Sequence, residues 1–488
     1  MSKPIRVRIA PSPTGDWHLG NARTALFTYL FARHHGGEFF LRVEDTDQGR
    51  LVEGAVDRLL VLMEWLGLTP DLYDGLPYVR QSDRLDLYKE AAEKLIAEGK
   101  AYYCFATGEE LAHMRSEQEA AKLPPRYDNR WGYRDLPLEQ AQARIAAGDS
   151  YVIRFKMPQE GETVVVDLIR GEVRFANNLT DDFVMIKADG FPTYHLAHVV
   201  DDHLMEISHV TRGDEWLSSV PKHVQLHEAL GWDLPEYIHF PVILGPDKGK
   251  LSKRHGAKPV FEYEIDGYLP EALINFLALI GWSSGTDEEL FSLDELIKKF
   301  DVKGLQKSPA VFDATRLDWF NGQYIRRLSS RELSSRLYEY YDVRKDPVIL
   351  ERFDEYSEKM PAIIASVHER LVTLKDFAEH TYFYFVAPEA YDPNLLPAKK
   401  QTLEDVSRVL EISVSALSSL EDWSHDSLEQ YLRQVGVEHD LKVGDLLWPL
   451  RVALTGLPAS PSTFDVLAIL GKDESLKRIA YAQALLAS

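Results

Sequence analysis

Two stretches of the chain gather residue types that handle phosphate: RIAPSPTGDWHLGNARTALF, Arg8 to Phe27, and GPDKGKLSKRHG, Gly245 to Gly256. In the first, Pro11 and Pro13 end an apolar run because neither has a ladder N–H to give. Gly15 and Gly20 let the backbone approach a bulky group. A helix beginning near Gly20 offers unpaired amides and a positive dipole end, and His18 stands where a ring N–H can donate to the same oxygens. A Pro/Gly loop with an exposed histidine serves as a plain surface loop just as often, so the rest of the chain has to decide. In the second stretch, Lys248, Lys250, Lys253, Arg254 and Lys258 crowd in and beside a glycine-bounded loop. A loop of cations can close over a triphosphate and hold it more tightly as charge develops at the transferred phosphorus.

Such loops need elements to position them. "IRVRIA" reads as a strand, "NARTALFTYLFARHHGG" as a helix with Ala22, Ala25, Leu26, Tyr29 and Leu30 on one face, and "EFFLRVED" as a second strand. Two more helical stretches follow, "EGAVDRLLVLMEWLGL" and "RLDLYKEAAEKLIAEGKA". Strands alternating with helices predict a parallel sheet with covering helices, whose ligands lie beyond the carboxyl ends of the strands. From about Thr107 to Asp189 the pattern changes to a charged helix, a proline-bearing loop and the short β-like runs "YVIRFKMP", "TVVVDLIRG" and "EVRFA", which predict an insertion. Alternation then resumes. From about Tyr263 the chain reads mainly as helix, with a boundary near Ile325 to Ser330.

At 488 residues and a net charge of −22 the chain is too long for one core and too acidic for nonspecific binding to nucleic acid, although local basic patches escape such a sum. No apolar run is long enough to span a bilayer, and no signal-peptide core precedes "IRVRIA". Cys104 is the single cysteine, which forbids an internal disulfide and a multi-thiolate zinc site. The expected compartment is the cytoplasm.

"PSPTGDWHLGN" resembles the His-Ile-Gly-His signature of class I aminoacyl-tRNA synthetases, and "KLSKR", Lys250 to Arg254, resembles their Lys-Met-Ser-Lys-Ser signature. More narrowly, "RIAPSPTG", "LRVEDTD", "GFPTYHLAHVVDDHL", "RGDEW" and "PLRVALTG" resemble, in that order along the chain, the bacterial glutamyl-tRNA synthetase family. The resemblance implies a multidomain fold. An α/β Rossmann-like catalytic domain (1–106 and 190–262) would carry an inserted α+β acceptor-binding domain (107–189). An all-α stem-contact domain (263–327) and an all-helical anticodon-binding domain (328–488) would follow. It also implies L-glutamate, ATP with Mg²⁺ and glutamate tRNA as substrates, and action as a monomer.

By the same resemblance, catalysis is positioning and charge stabilisation by His18, Lys250 and Lys253. The ATP contacts would be His18, Gly20, Glu215, Lys250, Ser252, Lys253 and Arg254. Asn21 stands in place of the signature's last histidine. The substrate's side-chain carboxylate calls for guanidinium, because a planar fork matches it bidentately. Arg8 and Arg212 match the family's positions, with Tyr194 beside them, and the sequence leaves open how they divide the contacts. Glu44 would meet the ammonium, near Ser12 and the backbone of Ala10. Taken singly, each of these charges could equally form an ordinary ion pair, and Glu44 could pair with Arg8.

Asp201, Asp202 and His203 have the composition of metal ligands. We read them as strand-end hydrogen-bonding groups, since neighbouring strand residues point to opposite faces. Some family members hold zinc through cysteines in the inserted domain; with Cys104 alone, no structural zinc is expected. Arg370, Arg433 and Arg451 fall where the family reads anticodon bases, and arginine at position 370 resembles the form that accepts glutamate tRNA only. Related alternatives are a glutaminyl enzyme, which carries β-barrels behind a similar front half, a glutamyl enzyme that also accepts glutamine tRNA, and a non-catalytic tRNA-binding paralogue.

Overall fold

The computed structural model describes residues 4–249, 251 and 258–487. The chain divides into two compact units, Met1–Tyr263 with Leu273–Ala314, and Glu264–Ala272 with Thr315–Ser488.

In the first unit the strand Arg6–Ile9 pairs in parallel with Glu38–Val43, and that strand pairs in parallel with Val79–Arg80. The helix Leu19–His34 links the first two strands and buries Leu19, Ala22, Ala25, Leu26 and Leu30. Its return requires glycine. Gly36 has a φ of 65°, and a Cβ on Gly37 would stand 2.4 Å from the carbonyl oxygen of Ile5. A second sheet pairs His209–Gly213 in parallel with Glu236–Phe240, placing His239 opposite Arg212. Its start is tied to the first strand, because the Ser208 amide donates to the Arg6 carbonyl at 2.9 Å.

The inserted segment is divided between two sheets. Ala101–Cys104, Val152–Phe155 and Val184–Ile186 form an antiparallel sheet of their own. The hairpin of Glu162–Asp167 and Gly171–Ala176 instead joins the second sheet, with Asp167 opposite Tyr237 of Glu236–Phe240. Cys104 is buried beside Tyr127, whose hydroxyl accepts from its thiol at 3.4 Å.

The strand reading of Asp201, Asp202 and His203 is corrected: they lie on the helix Tyr194–Leu204. A short apolar run such as Leu196 to Val200 fits a buried helix as well as a buried strand, and here helical spacing turns those residues inward.

The second unit is helical throughout its described residues beyond Ala314. Serine and threonine caps start several of its helices, among them Ser329 before Ser330–Val343 and Thr402 before Leu403–Ser419. Leu333, Ile363, Phe377, Leu410 and Leu450 sit in its core. The chain end, mainly helical as expected, is broken at Gly471 (φ 82°) into Thr463–Leu470 and Lys472–Ala487.

Candidate active site

The carboxyl ends of the two strand pairs open into one cavity of about 1070 Å³. Its lining includes Arg8, Ala10, Ser12, His18, Gly20, Glu44, Tyr194, Arg212 and Glu215, so every described residue expected at the ATP and glutamate sites borders a single space. Lys250, Ser252, Lys253 and Arg254 lie outside the described residues. Leu251, within the same stretch, lines the cavity.

His18 is the N-cap of Leu19–His34 and is exposed, with extended backbone. Gly20, in the first turn of that helix, borders the cavity at the end where helix amides favour an anion. Asn21 has a local function: its Oδ1 accepts from the His18 amide at 3.4 Å and so helps to square off the helix start. The preceding loop is held to the sheet by the Glu44 amide, which donates to the Pro11 carbonyl at 2.9 Å. Beyond the second signature, Val260 donates to the Trp17 carbonyl at 2.8 Å, and Pro259 bridges to His18. The backbone after KLSKR is therefore anchored on the first motif.

The charges at the cavity floor are not paired as the sequence alone would suggest. Arg8, 3% exposed, donates to both oxygens of Asp202 (2.9 and 3.2 Å), to His198 Nδ1 (3.2 Å) and to the Thr211 carbonyl (3.3 Å). Glu44 pairs with Arg42 at 3.2 Å rather than with Arg8. Arg42 is fully buried and donates to Asp202 at 2.6 Å. Burial works to raise the Asp202 carboxyl, but Arg8 and Arg42 outweigh it and hold it down to about 2. Burial also raises the Glu44 carboxyl, against the pull of Arg42 and Arg8. Asp201 is likewise committed, accepting from Arg84, Tyr88 and Gln81 at 2.8 Å each.

Arg212 is held differently. Its Nε donates to His239 Nε2 (3.0 Å) and its Nη1 to the Tyr194 hydroxyl (2.8 Å) and His223 Nδ1 (3.3 Å). Nη2 has no hydrogen-bond partner, and no carboxylate pairs with this guanidinium among the described residues. Burial holds the imidazoles of His198 and His223 far below their ordinary value, so they act as neutral acceptors. Trp216 packs on Tyr194 with ring centroids 4.8 Å apart, and Glu215 folds back so closely that a Cβ on Gly213 would stand 2.0 Å from its Oε2.

The sequence reading missed Arg42, Asp202, His198, His223 and His239 as parts of this floor, and also Arg23. Arg23 borders the cavity and donates to the carbonyls of Ile280 and Pro241; burial lowers its guanidinium to about 10, with Asp214 and Glu215 opposing. Helical spacing on Tyr194–Leu204 would have put His198 and Asp202 on one face, had that stretch been read as helix.

In the second unit, Arg433 is paired with Glu429 at 2.6 Å, and Arg370 is exposed. Arg451 is half-buried, its Nε lacks a partner, and its guanidinium is lowered by burial and by the like charge of Arg370.

The family described as tRNA synthetases class I (E and Q), catalytic domain, matches residues 4–319, and an anticodon binding domain matches residues 335–483. The chain is 47% identical to a glutamate–tRNA ligase of Dehalococcoides mccartyi over 100% of this chain and 99% of the relative, and 42% identical to that of Flavobacterium johnsoniae over 99% of each. A crystal structure of a glutamate tRNA ligase from Elizabethkingia meningosepticum, in complex with its amino acid, superposes with a TM-score of 0.87 at 37% identity, covering 99% of this chain and 100% of that one. With a parallel-sheet catalytic unit, a helical anticodon unit and likeness along its whole length, the chain belongs to the class I tRNA synthetases of the E and Q type.

Proposed function

We propose that this chain is a glutamate–tRNA ligase. It joins L-glutamate to the adenylyl group of ATP, used as its Mg²⁺ complex, with release of pyrophosphate, and passes the glutamyl group to the terminal adenosine of glutamate tRNA. The observation that carries this reading is Arg212: a buried guanidinium on the cavity wall whose Nη2 has no partner and which meets no carboxylate among the described residues. The Tyr194 hydroxyl accepts from Arg212, so its own hydrogen is left to donate. Two donors side by side fit an acceptor-only carboxylate. A side-chain amide would bring its NH₂ against one of them, which favours glutamate over glutamine.

The reaction needs no covalent protein intermediate. The α-carboxylate of glutamate attacks the α-phosphorus of ATP in line and pyrophosphate leaves; the terminal ribose hydroxyl then attacks the adenylate carbonyl and AMP leaves. His18 and the helix start at Gly20 stabilise the phosphates, with Glu215 on the nucleotide side. Glu44 takes the ammonium, with Ser12 and the Ala10 backbone. Arg8, committed to Asp202, shapes the floor and leaves the side-chain carboxylate to Arg212. Lys250, Ser252, Lys253 and Arg254 belong to the same reading as phosphate contacts.

Arg370 and Arg451 read anticodon bases, supported by two like charges close together with no carboxylate pair among the described residues; Arg433, already paired, contributes less. Action as a monomer belongs to the same reading. A single cysteine supports a cytoplasmic enzyme without structural zinc. The domain limits given from sequence are retained within this reading. The test is charging of glutamate tRNA by purified protein with glutamate and ATP, beside glutamine tRNA. We expect glutamyl-tRNA and pyrophosphate; no charging of either tRNA overturns the proposal.

A further inference from the structure

Arg212 is held by imidazoles, and one of them leads to a carboxylate in the inserted hairpin. His239 lies opposite Arg212 in the parallel register, so the two side chains share a face of the sheet. Its Nδ1 donates to Asp167 Oδ2 at 2.8 Å, and both residues are wholly buried. The same oxygen accepts from the His239 amide at 2.9 Å, while Asp167 Oδ1 accepts from the amides of Ile169 and Arg170, each at 2.9 Å. With its Nδ1 proton fixed on Asp167, neutral His239 can offer only a lone pair at Nε2, where Arg212 Nε donates.

We infer that Asp167 and His239 are positioning residues for substrate specificity: they aim Arg212 at the side-chain carboxylate of the amino acid without neutralising it. This rests on the assignment of that carboxylate to Arg212. The chemistry requires both partners. A carboxylate in direct contact with Arg212 would cancel the charge the ligand needs, as Asp202 does for Arg8. An imidazole with the other tautomer would set N–H against N–H. Asp167 holds the tautomer from one residue further out, so its negative charge reaches Arg212 only through a neutral ring.

The groups around His239 are consistent with this arrangement. Burial lowers the imidazole against the pull of Asp167, with Arg212 and Arg170 adding to the lowering. Burial works to raise the Asp167 carboxyl, but His239 and the amides of Arg170 and Ile169 hold it below its ordinary range. Tyr237 stacks beside the ring at 6.0 Å.

The test is steady-state charging by the full-length protein, with KM measured separately for glutamate and for ATP, on D167N, H239A, H239Q and R212A. D167N and H239A should raise the glutamate KM by about tenfold to a hundredfold, the cost of a misplaced hydrogen bond to a charged group. The ATP KM should stay within about twofold, since no ATP contact is altered. H239Q, whose Oε1 still accepts from Arg212, should recover most of the loss. Glutamate KM unchanged in folded D167N and H239A overturns the inference. So does an equal loss for glutamate and ATP with no recovery in H239Q, which would mark a merely structural role. Should H239A not fold, D167N and H239Q make the same comparison. R212A separates the two levels: if it leaves glutamate use unchanged, the carboxylate assignment itself fails, whereas loss in R212A with none in D167N and H239A overturns only the positioning role.

Discussion

Arg8 and Arg212 end neighbouring strands and border one cavity, yet their charges are used in opposite ways. Arg8 meets the carboxylate of Asp202, which also takes Arg42, so the floor is a closed ionic network. Arg212 meets two imidazoles and a phenol, which orient a guanidinium while leaving its charge available. The second unit shows the same division, with Arg433 paired to Glu429 while Arg451 and Arg370 sit close together without a carboxylate pair among the described residues. Whether an arginine serves structure or recognition is decided by its neighbours' charge, because a buried ion pair consumes what a ligand would otherwise supply.

The largest effect that could break this contrast is on the structural side. Asp202→Asn leaves the buried Arg8 without its carboxylate and Arg42 with Glu44 and Asp201 only, and should cost about 3–5 kcal/mol in urea unfolding; an unchanged midpoint would mean that Arg8 is not committed as described. On the recognition side, Arg212→Met should lower kcat/KM for glutamate by about a hundredfold, the loss of a charge-assisted contact, while the unfolding midpoint holds. A large fall in stability there would erase the distinction between the two arginines.

Acid sharpens the contrast further. His195, His198, His223 and His227 surround this floor, and burial lowers each below 6.5, to about 3 for His195 and about 4 for His227. Folded, they stay neutral where the unfolded chain takes up protons, so stability should fall as pH drops below about 6.5, by up to about 1.4 kcal/mol per pH unit for each. Denaturant midpoints between pH 7 and 4 measure this; a flat profile would show that these rings charge in place. The smallest contrast lies in the helical unit. Arg451→Ala should raise the KM for tRNA about tenfold, as a lost base contact does, and Arg433→Ala by less than about threefold, since it breaks only an exposed pair.

Much of this was legible in the sequence. The Pro/Gly break before Leu19–His34, the alternation around it and the helical rear are local patterns, and they predict the element types and the side of the sheet that carries the site. The partner of Arg8 was not legible. Reading "HLAHVVDDHL" as strand pointed Asp201 and Asp202 to opposite faces, when the helix turns both inward to different arginines. Nor does anything local tie Asp167, in an inserted hairpin, to His239, seventy-two positions later.

By itself, the sequence determined which chemistries the chain brings: cations, imidazoles and helix amides grouped in motifs, in the order of a known family. Only the tertiary structure decided which of those charges remain available. Residue types and their spacing are fixed by the chain, but neutralisation depends on contacts within about 4 Å, and those come from strand register and helix facing across distant segments. Thus the loop from Arg8 to Phe27 could be read as a phosphate site only together with the other motifs of the chain, while the proposed assignment of the ligand carboxylate to Arg212 needed Asp202 in place beside Arg8 and His239 beside Arg212.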